Sequence, residues 1–461
     1  MAAAVKNLRL TSDRFVLLGT GDHFGGYIYS RFGGMPEVEL FNYFRYDGML
    51  VGKEELSLGE DVFDAWARMA RFPIILTNLI APPQCKLCRH AVNYTTLERS
   101  GLIVGIFGLL PPELPRVSRV ETDISLSPDI LEIASNTLSI LKEQRCDIIV
   151  LLSGLSMEEN YLLAEELCDI DLIVCSEWGD FPGEPILVEN GDCRSVICCS
   201  RGKGASLGIL HTSWDEGGSM VSYKWAPRDI DSTLSPDPRA ATIISEYTDR
   251  IPSSQTIGRS ETELDGRREL RSGAESNLCN LITDAMMAAY PDADLAILPA
   301  GSIFGSPILR PGIISDRWVE SILPYRENAV VAEIPGEILR KSFERAAAFA
   351  GDDFGGFLQL SGGKVIIDST RTPQRLFPDS AAIETEGKRI RRLEIGGEKL
   401  DDDRTYRIIA PDYLFSGGYG NFWFSDIEAS EVGPISELVI EYIESSGEVS
   451  PPFEGSIIVN P

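Results

Sequence analysis

Two α/β domains in tandem are the architecture that this sequence predicts. Three observations point to it. The chain has 461 residues, 43% of them hydrophobic, which is more than one core normally organises and enough to fill two. Its first half alternates short all-apolar runs with longer amphipathic stretches, the pattern of buried strands separated by helices. A segment punctuated by Pro236, Pro238 and Pro252 then divides that half from a second one with its own helix and strand patterns.

The strand runs are Phe15 to Gly19, Phe72 to Leu76, Leu102 to Gly108, Asp147 to Leu152 and Asp171 to Val174. Each is short and nearly continuous in apolar character, so both faces are expected to be covered. Among the amphipathic stretches, Ile130 to Gln144 places Ile130, Leu131, Ile133, Ala134, Leu138, Ile140 and Leu141 along one helical stripe. In sheets built this way the chemistry gathers just past the C-terminal ends of strands. Gly21-Asp22, Gly52-Lys53, Ser153-Gly154 and Ser176-Glu177 fall there. The first domain is expected over 1–234 and a linker helix region over 235–254. The second domain, 255–461, opens with the charged stretch Glu261 to Arg271. A helix from Asn277 to Ala289 leads into a strand at Asp294 to Leu298, with later strands at Tyr406 to Ala410 and Ile457 to Val459.

A formal charge of −28 excludes a broad nucleic acid interface, since no excess of Lys and Arg exists to neutralise a polymer of phosphates. It leaves room for one small phosphorylated ligand held by local donors. No apolar run is long enough to span a bilayer, and Met1 to Leu10 lacks the apolar region of a signal peptide. The chain as written therefore reads as cytoplasmic, and as exported or periplasmic if it continues upstream. Nine scattered cysteines read as reduced thiols and not as a disulfide framework. Cys85-Lys86-Leu87-Cys88-Arg89-His90 has its histidine one residue too late for haem attachment and lacks a fourth zinc ligand. Free thiols or a redox-labile pair are expected there. Cys198-Cys199 reads as strand packing. Neither haem nor NAD is expected.

Three stretches carry a family resemblance. Leu17-Leu18-Gly19-Thr20-Gly21-Asp22-His23-Phe24-Gly25-Gly26 is similar to LLDAGD-x-F-x-G. Tyr46-Asp47-Gly48-Met49-Leu50-Val51-Gly52-Lys53-Glu54-Glu55-Leu56-Ser57-Leu58-Gly59 is similar to YDA-x-x-x-GNHEFD-x-G. Glu275-Ser276-Asn277-Leu278-Cys279-Asn280-Leu281-Ile282-Thr283-Asp284 is similar to E-[ST]-N-L-G-N-L-x-x-D. In this order they resemble the 5′-nucleotidase family. The resemblance implies an N-terminal metallophosphoesterase-like layered α/β sandwich joined to a C-terminal α/β domain of the 5′-nucleotidase type that binds the nucleotide. Met1 to Arg9 resembles the helix that follows the family's first strand, so that strand and its Asp-x-His element are expected to be missing from the chain as written.

The family's activity is hydrolysis of a nucleotide phosphomonoester, within nucleotide catabolism, by two divalent metals such as Mn, Mg or Zn. Position by position, Asp22 matches the bridging aspartate. Lys53 stands for the asparagine ligand, Glu54 for the transition-state histidine and Ser57 for the aspartate that orients it. Gly154, Glu177 and Gly179 stand where further histidine ligands belong. Three readings follow: a family hydrolase with weak, altered or lost two-metal activity, a pseudoenzyme that binds a nucleotide or a protein partner, and a sulfur-ester hydrolase of a related exported branch. With Asp22 and Glu177 converging, Lys53 is expected to supply the charge that a metal once did. The rival is a carboxylate-only site of Asp22, Glu54 and Glu177 for Mg²⁺ or Mn²⁺.

In the second domain the resemblance implies two rings that sandwich a nucleobase. Gly355-Gly356-Phe357-Leu358-Gln359 supplies Phe357, and Pro411-Asp412-Tyr413 supplies Tyr413. Tyr419 replaces the aspartate that holds ribose hydroxyls. Phe304 replaces a substrate arginine, for which Arg326 is the expected substitute. Ordinary core packing of the two rings, and an ion pair of Arg326 with Glu327 or another surface carboxylate, are the alternatives.

Overall fold

The computed structural model describes residues 1–461 apart from 13, 83–84, 113, 115–124, 177–182, 192, 201–203, 216–217, 353, 378–380 and 461. The chain divides into two compact units, Met1–Ile251 and Pro252–Pro461.

In the first unit, helix α1 (Ala2–Thr11) precedes strand β1 (Leu18–Gly19), helices α2 (Gly26–Phe32) and α3 (Met35–Phe44), strand β2 (Gly48–Leu50) and the short helix α4 (Lys53–Leu56). After α5 (Glu60–Ala67) come β3 (Ile74–Ile75), α6 (Lys86–His90) and β4 (Ala91–Val92). Strands β1-β2-β3-β4 pair in that order, all parallel. A second sheet contains β5 (Tyr94–Arg99), β6 (Leu102–Leu109), β7 (Ile148–Ser153), β8 (Leu172–Cys175), β9 (Ile186–Asn190) and β10 (Cys193–Cys199), in the order β9-β10-β8-β7-β6-β5. Its middle four strands are parallel and its two edges antiparallel. The all-apolar run of β7 is buried at every position, as strands covered on both faces require. Helices α7 (Ile130–Glu143) and α8 (Met157–Glu166) flank this sheet.

The apolar stripe of α7 buries Ile130, Ala134, Leu138 and Leu141, while Ile140 is exposed. Helix α9 (Pro238–Thr248) starts with proline in its first turn and an N-cap at Asp237, whose carboxylate accepts the N–H groups of Arg239 and Ala240 at 3.0 Å each. That carboxylate also accepts from the Tyr43 hydroxyl at 2.9 Å, and Tyr247 donates to Glu39 at 3.1 Å. These contacts seat α9 on α3.

The cysteine expectation is corrected here. Cys175 and Cys199 are register partners on the adjacent parallel strands β8 and β10 and form a disulfide, with Cα atoms 5.0 Å apart. Cys168 is also disulfide-bonded. Strand order, which spacing does not reveal, brings Cys175 and Cys199 together, so Cys199 does more than pack. Cys85, Cys88 and Cys198 are free thiols, and burial with the neighbouring Cys85 pushes Cys88 up to about 11.

In the second unit, helix α10 (Asn277–Ala289) runs on the sequence-predicted residues, capped by the Ser276 hydroxyl, which accepts from Cys279 N–H. Strand β11 (Leu295–Pro299) follows, then β12 (Asn328–Pro335), α11 (Gly336–Ala347), β13 (Leu358–Ser361), β14 (Gly363–Asp368), β15 (Ile390–Ile395), β16 (Thr405–Pro411), β17 (Ala429–Pro434), α12 (Ile435–Ser446) and β18 (Ile457–Asn460). A five-stranded mixed sheet has the order β13-β11-β16-β12-β17. One apolar cluster joins α10 and α12 to this sheet, and another joins α11, β14 and β15. This is the two-domain α/β fold that the sequence predicts.

Candidate functional site

Parallel strands β1 and β2 deliver two loops side by side. Gly21 and Asp22 leave β1 with φ of 83° and 55°, so the turn enters the left-handed region, where glycine is at ease and aspartate is tolerated. A Cβ on Gly21 would lie 2.6 Å from the Gly52 nitrogen, so the two loops approach backbone to backbone. The residue that locks them is Glu55. Its carboxylate is fully buried and accepts N–H groups from Asp22 (2.8 Å), His23 (2.7 Å), Phe24 (3.2 Å) and Gly52 (2.8 Å). Burial and the Asp22 charge push its pKa up, and the backbone donors oppose them. The sequence reading missed Glu55, although Gly52-x-x-Glu55 at the start of α4 is a capping-box spacing.

Asp22 is exposed at the loop tip. Its Oδ1 accepts the Glu54 N–H at 2.9 Å and so caps the first turn of α4. Among the described residues Lys53 pairs with Glu54 and not with Asp22. Its Nζ lies 3.7 Å from Glu54 Oε1, and its side chain is 46% exposed. A solvated pair of this kind contributes under about 1 kcal/mol. The Ser57 hydroxyl donates to the Glu54 carbonyl at 2.8 Å, which commits it to the backbone of α4. At the end of β7, Ser153 donates to Asn160 at 2.6 Å. A Cβ on the following Gly154 would meet Leu110 Cδ2 at 2.9 Å. Glu177 and Gly179 lie outside the described residues.

His23 packs its ring edge-on to Phe41 and Tyr46. His90 pairs with Asp64 at 2.9 Å, and His211 lies on a hairpin of 210–225. Among the described residues, no three His, Cys, Asp or Glu side chains come together as a metal-binding group. Asp22 and Glu54 are neighbours through a backbone hydrogen bond, and the Lys53 ammonium lies beside the Glu54 carboxylate. Among the described residues, this donor set is short of the ligands that a pair of hard divalent ions needs.

In the second unit, the register gathers the remaining candidates at one end of the five-stranded sheet. Gly301 follows β11, Phe357 precedes β13, Tyr413 follows β16 and Arg326 precedes β12. Ala300 N–H donates to the Phe357 carbonyl at 2.8 Å and Gly301 N–H to the Gly355 carbonyl at 2.7 Å. Phe357 is 1% exposed within the apolar cluster of α11 and the sheet, and Tyr413 is 8% exposed. The rings in contact are Tyr413 with Tyr419, at 5.3 Å and 88°, and Tyr419 with Phe354, at 5.8 Å and 78°. A side chain on Gly301 would collide with the Tyr419 hydroxyl. Arg345 stacks over Phe349 and Phe354 and donates to the Tyr419 carbonyl at 3.3 Å, which fixes the segment that carries Tyr419. Arg326 sits in a left-handed turn, φ 53°, and Phe304 meets Tyr325 at 6.3 Å.

Residues 256–426 match the family model described as 5′-nucleotidase, C-terminal domain. The chain is 26% identical to the 5′-nucleotidase of Rattus norvegicus over 486 residues, 98% of this chain and 83% of that one. The structure of a 5′-nucleotidase precursor from Thermus thermophilus superposes with a TM-score of 0.84 at 23% identity, covering 100% of this chain and 93% of that one. A sulfate thiohydrolase, SoxB, also from Thermus thermophilus, superposes at 0.74 and 19% identity, covering 99% and 82%. At such identities the structural matches show a shared fold.

Proposed function

For a chain that belongs to the 5′-nucleotidase family, we propose a nucleotide phosphomonoester ligand held by the second unit, with two-metal hydrolysis weakened or lost in the first. The observation that carries this reading is the commitment of Asp22. Its carboxylate caps α4, its loop is locked by Glu55, and Lys53 and Gly154 occupy positions from which the family's chemistry needs ligands. A hydroxide nucleophile generated at neutral pH requires the metal pair, and these residues supply no substitute for it.

Support for recognition comes from the second unit. The half-buried Tyr419 ring rests on the buried Tyr413 ring at one sheet end, beside the Gly301 backbone and the turn of Arg326. Stacking on such rings tolerates any base. Tyr419 in place of a carboxylate removes the natural acceptor for ribose hydroxyls, so specificity shifts from sugar to base and phosphate.

The test is calorimetric titration of the full chain with AMP, beside Tyr413→Ala and Tyr413→Phe. The expected outcome is at least tenfold weaker binding for the alanine variant and near-normal binding for phenylalanine, which keeps the ring. AMP affinity that is equal in all three proteins contradicts the reading.

A further inference from the structure

We propose that the first unit carries a second anion site, at the end of its sheet opposite Asp22, built to hold a small oligophosphate: inorganic pyrophosphate or the diphosphate tail of a nucleotide. The topology separates the two sites. Strands β1, β2 and β3 run parallel, and the Asp22 and Gly52 loops follow β1 and β2. Asp47 and Phe72 instead precede β2 and β3, so they mark the other end. There an open cleft of about 430 Å³ is lined by four arginines, Arg9, Arg45, Arg71 and Arg99, with Asp47 as the one carboxylate in its wall among the described residues. Four guanidiniums in one cleft are out of character for a chain of net charge −28.

The carboxylate is already engaged. Asp47 Oδ1 pairs with Arg99, and its Oδ2 accepts the Leu17 N–H at 2.8 Å. Arg9 is held in place by the end of α3, donating to the Phe44 and Arg45 carbonyls at 2.8 Å each, with its guanidinium 4.8 Å from the centre of the Phe15 ring. Its Nε–H is buried and has no acceptor. Arg45 and Arg71 line the same cleft, exposed and with no carboxylate partner among the described residues. Burial pulls the Arg9 pKa down, the Asp47 charge opposes it, and the charges of Arg45 and Arg99 add to the fall. An anion relieves that repulsion.

Geometry selects the class of anion. Guanidinium forks match phosphate oxygens two at a time. Arg99 also donates to the Phe15 and Glu98 carbonyls, so the open forks are those of Arg45 and Arg71, with the charges of Arg9 and Arg99 behind them. Linked phosphates, with more oxygens and more negative charge than one phosphate, gain more from that set. Tyr46 and Phe72, 6.1 Å apart between ring centres, form an aromatic wall beside the forks.

The experiment titrates the full chain with pyrophosphate, ADP and AMP at about 150 mM salt, near physiological ionic strength, and compares Arg45→Gln/Arg71→Gln and Tyr413→Ala. Both arginines are exposed, and glutamine keeps much of their bulk, so the unliganded melting temperature is expected to stay unchanged. Pyrophosphate is expected to bind once per chain, at least tenfold more weakly in the double variant, and unchanged in Tyr413→Ala. If ADP shows the same dependence on the arginines, the ligand is a nucleotide diphosphate. If only pyrophosphate does, it is the inorganic ion. No pyrophosphate binding, or equal binding by the double variant, overturns the proposal. Neither result bears on the second unit, whose own failure shows as AMP binding that ignores Tyr413.

Discussion

Glu55 is the side chain on which the first unit's loop geometry rests, because one buried carboxylate satisfies four backbone donors. Glu55→Gln turns one acceptor into a donor that faces N–H groups. It is expected to lower stability by about 3–5 kcal/mol, read as a fall in denaturation midpoint. Glu37 presents the opposite case. It lies in the first turn of α3, its Oε2 is buried without a partner, and burial pushes its pKa up to about 7 from an ordinary 4.5. Below pH 4.5 both folded and unfolded chains hold the proton, and the group has no effect on stability. Between 4.5 and 7 the folded chain keeps the proton that the unfolded chain loses, so stability falls as pH rises, and above 7 the full cost of the buried anion is present. Glu37→Gln should therefore raise stability at about pH 8 by about 1–3 kcal/mol and change nothing at about pH 4. Thermal unfolding at the two pH values checks both statements. Asp22 was legible from its motif, but its role as the cap of α4 was not, because the partner is a backbone N–H that any residue but proline supplies.

At the scale of elements, apolar runs and helical stripes locate β6, β7, β8, α7 and α10 within a residue or two, since burial on two faces or along one stripe writes itself into composition. Pairing does not. The antiparallel edges β5 and β9, and the antiparallel β12 within the second unit's sheet, depend on pairings that composition does not record. The Cys175–Cys199 disulfide is the clearest instance, closing a separation of 24 residues through strand order. The cross-link restricts the unfolded chain. Replacing both cysteines by serine should cost about 2–4 kcal/mol in non-reducing buffer. Added reductant should erase the difference between the two proteins, and a difference that survives full reduction would contradict this assignment.

Across the whole molecule, the proposed reading is of a fold kept while its chemistry changed. Framework positions such as Glu55, Ser276 and Glu275 hold loops and caps through hydrogen bonds to the backbone. The fold was readable from the motifs that contain them, whereas the cleft of arginines was not. Arg9, Arg45, Arg71 and Arg99 are spread over some ninety residues and belong to no motif. The central claim is that the first unit does not assemble a two-metal hydrolytic site. Its most direct test is metal analysis of the full chain after Mn²⁺ loading and removal of excess, coupled to phosphate release from AMP. Fewer than one Mn²⁺ per chain, with phosphate release no faster than in buffer, is the predicted result. About two Mn²⁺ per chain with sustained release from AMP would contradict it.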